Sequence, residues 1–106
     1  MKKFEELGIT SVTKEKFVEM VQFILDSPNE EFNKDLRSQL VFEIELLYNA
    51  SMTLRNHFRL WENSWEPEID EGGCDCSNNH PDNLSYIVLQ VAHEIANSEV
   101  LTVNDL

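Results

Sequence analysis

The chain has 106 residues, an apolar fraction of 42% and a formal net charge of −12. That is one domain, residues 1–106, with enough material for a single core and too apolar to be disordered throughout. The charge excludes a binder that works by neutralising nucleic-acid phosphates, and equally a protein held on anionic lipid, because its field repels both.

The N-terminal MKKFEELGIT places glutamates where a secretion signal needs an apolar stretch. No run approaches the roughly eighteen apolar residues of a membrane span, so the expected compartment is the cytoplasm. Phe4 and Leu7, just before Gly8, predict a one-turn helix within an N-terminal arm of residues 1–12. Thr13 is placed to cap a first helix, with Glu15 in its first turn and Val12 able to staple to Phe17. Phe17, Val18, Met20, Val21, Ile24 and Leu25 then recur at the spacing of one buried helical stripe. Asp26-Ser27-Pro28 ends it. Ser27-Pro28-Asn29-Glu30 in turn reads as a new start, with Ser27 as the cap and Pro28 at the first helical position.

From Phe32 the apolar pattern continues through Leu36, Leu40, Ile44, Leu47, Leu54, Phe58 and Trp61 without proline or glycine. A single helix over residues 28–63 would be about 50 Å long. A compact domain of this size is only about 33 Å across. The helix must therefore protrude, offering a homodimer interface, or break; Tyr48-Asn49-Ala50-Ser51 is the expected break, since Asn tolerates the left-handed conformation and Ser can cap. A last helix is expected from Asp82 or Asn83, burying Leu84, Ile87, Val88, Val91 and Ile95, with Ala92 and Ala96 permitting close approach. The fold class is therefore all-α: a small bundle of about four helices with one long acidic loop, residues 62–83, before the last helix.

Charge is lopsided. Residues 1–37 carry six Lys/Arg against eight Asp/Glu, whereas residues 38–106 carry only Arg55 and Arg59 against twelve acids. Within the loop, WEPEIDEGGCDCSNNHPDN holds six carboxylates, two cysteines, a histidine and no Lys or Arg. Such a field attracts a basic protein or a multivalent cation. Glu62, Glu66, Glu68, Asp70, Glu71 and Asp75 would supply it, and Trp65 would supply an aromatic anchor beside them. Trp61, continuing the helical stripe, is expected in the core.

Cys74, Cys76 and His80 support a second reading, because thiolates and imidazole are zinc ligands and Gly72-Gly73 permits a sharp backbone path. Asp70, Asp75, His57 or His93 would complete the shell, in place of the second cysteine pair that structural zinc sites usually have. On this reading the chain is a zinc-stabilised helical accessory module. A cysteine nucleophile is disfavoured, since thiolates form in positive surroundings and this loop is crowded with carboxylates. Acid–base catalysis is disfavoured too, because it needs carboxylates fixed in partly apolar clefts. His93-Glu94 lacks a second histidine one turn on, as position 97 is Asn, so the helical metalloprotease motif is missing. Arg55 and Arg59 lie one turn apart and could grip an anion, but Arg59 pairing with Glu62 is the simpler account. The expectation is a non-enzymatic protein without an obligatory cofactor.

TKEKFVEMV at residues 13–21, the acidic stretch around residues 62–75, and IVLQVAHEIAN at residues 87–97 after a proline together resemble the small acidic immunity proteins that neutralise colicin-type nuclease toxins. The resemblance covers less than half the chain. In that family a short helix with a tyrosine pair follows a His-Pro dipeptide and contacts the toxin. Here His80-Pro81 leads to Tyr86 alone, beside a helix of ordinary length, and the Cys74-Asp75-Cys76 piece has no counterpart. The resemblance implies a helical inhibitor of a basic toxin or nucleic-acid-binding enzyme and does not assign contact residues.

Overall fold

A computed structural model of the chain describes residues 1–37 and 44–106, with the side chains of residues 44–48 left aside. Among the described residues there are four α-helices: α1 (Lys14–Leu25), α2 (Glu30–Leu36), α3 (Ile44–His57) and α4 (Pro81–Ala96). One-turn 3-10 helices at Phe4–Leu7, Leu60–Glu62 and Val103–Asp105 punctuate the connections. The all-α expectation holds, and none of these helices is long and apolar enough to cross a membrane.

α1 begins where its cap demands. The Thr13 hydroxyl accepts from the Lys16 amide at 3.1 Å, satisfying one of the helix's unpaired first-turn donors. Phe17, Met20, Val21 and Ile24 are buried along one face. The corner to α2 is short, as expected, but its cap is Asn29, whose side chain accepts from the Phe32 amide at 3.0 Å. Ser27 instead accepts from Asn29's amide at 3.3 Å, so Pro28 stands outside the helix. Both residues are suitable caps; the one closer to the helix takes the position because its oxygen reaches the third amide beyond it.

α2 ends at Leu36, with Arg37 as its C-cap. α3 then runs unbroken through Asn49, Ala50 and Ser51, which overturns the expected break there. Ser51 is buried inside the helix and accepts from Arg55 one turn on at 3.2 Å, so its hydroxyl is satisfied without ending the helix. With 14 residues α3 is about 21 Å long, within molecular extents of 36 × 29 × 25 Å. Leu40, and the side chains of Ile44 and Leu47, lie outside the described residues. Leu36 and Leu54 are buried, and Phe32 and Phe58 half-buried, as the stripe predicts.

α4 is the centre of the bundle and packs against both α1 and α3. Two neighbours require two buried faces, which is why Leu89 and Ser85 join Leu84, Val88, Val91, Ala92 and Ile95 in the interior. The expected single stripe was too narrow. Asn97, just past its end, donates to the Leu36 carbonyl at 2.8 Å and so ties the end of α4 to the end of α2. Arg55 of α3 donates to Ser51 and to Ser85 of α4 at 3.2 and 3.3 Å, and its Nε lies 3.4 Å from Asp82. It is a bridge between helices, turned away from Arg59, which pairs with Glu62 at 3.9 Å. The N-terminal arm lies on this bundle through Phe4, whose ring is 5.3 Å from that of Phe17 and whose amide donates to the Leu106 carbonyl at 3.0 Å.

Candidate functional site, an acidic hairpin between two helices

The segment after α3 is built by a sequence of local constraints. Arg59 adopts a left-handed conformation, φ 53°, which ends the helical path and rotates the downstream chain out of the α3 register. Leu60 is therefore buried, while Trp61 is 54% exposed, correcting the expectation that Trp61 continues the core. The chain then extends and doubles back. Ile69 pairs with Asp75 in an isolated antiparallel bridge, flanked by Asp70 donating to Cys74 and Cys76 donating to Glu68, both at 2.9 Å. The turn Asp70-Glu71-Gly72-Gly73 closes this small hairpin; Gly73 takes φ 81°, which a side chain would strain. Asp70 accepts from the Gly72 and Cys74 amides at 2.9 and 3.0 Å, fastening the turn.

Asp75 organises the rest. One carboxylate oxygen accepts from the Trp65 indole at 2.9 Å; the other accepts from the Glu68 and Ser77 amides at 3.1 and 2.9 Å. These bonds favour the ionised form and hold its pKa below the ordinary aspartate value, the Trp65 indole contributing most, then Ser77, against opposition from partial burial. Trp65 packs edge-on to Trp61 and His80, with centroids 6.2 and 5.4 Å away, and Trp61 and His80 meet at 5.3 Å. Asn83 donates to the Asp75 and Ser77 carbonyls at 3.1 and 2.9 Å. Asn79 accepts from Thr10 and Ser11, and Asn78 donates to Leu7, strapping the loop to the N-terminal arm. His80 is the cap of α4: its Nδ1 accepts from Asp82 at 3.1 Å, and Pro81 occupies the first helical position. The cap expected at Asp82 or Asn83 thus falls two or three residues earlier. What reads in the sequence as a polar connector is a hydrogen-bonded structure.

The expected partner-facing residues divide into two groups. Glu66, Glu68, Asp70 and Glu71 are exposed around the hairpin, and none of them forms an ion pair among the described residues; Glu62 is exposed and paired with Arg59. Asp75 and Trp65 are half-buried and bonded to each other, so they hold the scaffold instead of lining its outer surface. The apolar surface belongs to Trp61 and to Ile69, which is 62% exposed. Sequence reasoning passed over Ile69, although its place between Glu68 and Asp70 in an alternating run was a signal of strand-like pairing.

Cys74 and Cys76 are free and exposed, and Cys76 Sγ donates to the Glu68 carbonyl at 3.0 Å. Among the described residues no three His, Cys, Asp or Glu side chains converge as a metal-holding group. His57, considered as a further ligand, stacks on Phe23 at 4.4 Å, and His93 is half-buried on α4. A cleft of about 580 Å³ lies at the corner of α1 and α2 against α3, lined by Phe23, Ile24, Phe32 and Ala50 among others, away from the hairpin. Comparison with known proteins returned no significant match, whether to family profiles, curated sequences or solved structures.

Proposed function

We propose that the chain is a non-enzymatic binding protein that occludes a basic surface of a partner protein with the hairpin of residues 62–83. A toxin-neutralising immunity protein, or an inhibitor that imitates the charge of nucleic acid, works in this manner. The observation that carries the reading is the exposure of Glu66, Glu68, Asp70, Glu71 and Ile69 on a hairpin already folded by its own bonds, with the exposed Trp61 packed against Trp65 at its base. Burial of the apolar pair gives holding energy, and the carboxylates give fast and selective capture. Prior folding matters because ordering a loop on contact would subtract from affinity. Solvent-exposed carboxylates suit steering better than acid–base catalysis, which works through groups held in a cleft.

The test is affinity capture from the native host with the wild-type chain and with Glu66→Gln/Glu68→Gln/Glu71→Gln, followed by association kinetics on the captured protein. The expected partner is basic, its association rate falls steeply with salt, and the neutralised chain captures it poorly. Capture of the same partner at an unchanged, salt-insensitive rate by the neutralised chain would remove the steering role.

A further inference from the structure

We propose that Cys74 and Cys76 form a two-thiolate site for a thiophilic ion of the Cu(I) class on the outer face of the hairpin. The two residues flank Asp75, the bridge partner of Ile69, and each takes part in one of the two backbone bonds that frame the bridge. Side chains alternate along an extended strand, so residues 74 and 76 share the face opposite to Asp75. Asp75 uses its face for Trp65. Across the ladder, the Asp70 carboxylate is taken up by the Gly72 and Cys74 amides. The result is two free, exposed thiols on one face of an extended segment, without a third metal-binding side chain beside them among the described residues.

Distances select the ligand class. Strand residues two apart have Cα atoms about 6.7 Å from each other, close to the upper limit of about 6.8 Å for a disulfide. An ion held by two sulfurs at about 2.3 Å each relaxes the sulfur separation to about 4.6 Å. Zinc asks for four donors, and the nearest ones are engaged: Asp75 by Trp65, Glu68 and Ser77, and His80 by its Nδ1 cap on α4, its ring lying edge-on to Trp61 and Trp65. Soft monovalent d10 ions are satisfied by thiolates alone. On binding, two S–H bonds break and two S–metal bonds form. Both protons pass to solvent, with no change of oxidation state, and the Cys76 bond to Glu68 is given up. The negative field of the whole chain draws the cation in, and the two thiolates more than balance its single charge.

The test is an anaerobic titration of the purified full chain with Cu(I) against a chromophoric chelator, read by thiolate-to-metal absorption and by native mass. One Cu(I) per chain is expected, and Cys74→Ser and Cys76→Ser should each weaken retention by a factor on the order of ten or more. The Trp65 indole resonance reports whether the hairpin survives each substitution. Failure to hold Cu(I) against the chelator with that resonance intact, or binding that persists in the double serine variant, would overturn the site. So would preferential Zn(II) binding lost in His80→Asn, a change that keeps a capping side chain. None of these outcomes bears on the basic-partner reading, since the carboxylates remain in every variant.

Discussion

Asp75 accepts three hydrogen bonds from groups that would otherwise have no common partner, the Trp65 indole and the Glu68 and Ser77 amides. Its pKa is lowered in the folded chain, so its contribution to hairpin stability is present in full above the ordinary aspartate value. As the pH falls below that value and through the depressed folded one, the contribution is lost. Acid titration followed at the Trp65 indole should therefore show the hairpin loosening only below the ordinary aspartate range. Asp75→Asn should loosen it at neutral pH while leaving the helical far-UV signal intact. Arg55 sets a different kind of test, because its guanidinium serves Ser51 and Ser85, both fully buried. Arg55→Met should cost about 1.5–3 kcal/mol, the usual worth of hydrogen bonds to a charged group, while Ser85 keeps its bond to the Asp82 carbonyl; urea unfolding measures the loss. Its exposed-side pairing with Asp82 adds little to that.

At the scale of elements, α4 carries the bundle because, among the described residues, it packs most extensively, along both α1 and α3. Leu89→Ala should destabilise the protein by about 2–5 kcal/mol, as for a fully buried leucine whose neighbours cannot all collapse into the space. Thr13→Ala removes the α1 cap and should cost about 0.5–2 kcal/mol. Comparing the two by thermal or urea unfolding separates core burial from a local end effect. The hairpin lies outside this core. It is fastened to it by Leu60, by the Asn78 and Asn79 bonds to the N-terminal arm, and by the His80 cap of α4. Substitution of Gly73 by alanine would place a side chain at a left-handed φ and should disturb the turn while the four helices remain.

For the whole molecule the governing quantity is 20 Asp and Glu against 8 Lys and Arg. Self-repulsion on this scale opposes compactness, and dissolved salt screens it over roughly 10 Å at 0.1 M. The melting temperature of the isolated chain should therefore rise with sodium chloride, while association with a basic partner slows. These opposite responses come from one field, and a melting temperature indifferent to salt would mean that the charges are compensated locally. The hairpin concentrates that field at one end of α4 instead of spreading it over the surface.

The sequence by itself determined the helical class, the start of α1, the buried stripe of that helix, the Arg59–Glu62 pairing and the location of the acidic segment. Each depends on contacts within a few residues, which composition and spacing record directly. Tertiary structure alone decided that α3 passes through Asn49 without a break, since Arg55, which serves Ser51, is held there by Ser85 and Asp82 of α4, about thirty residues away. It also decided which tryptophan faces out. Trp61 leaves the core because Arg59 turns left-handed, and Trp65 is held because Asp75, ten residues away, accepts a hydrogen bond from its indole N–H. Propensity ranks the options open to a short segment, but a choice between near-equal options falls to whichever long-range partner satisfies the polar groups left over.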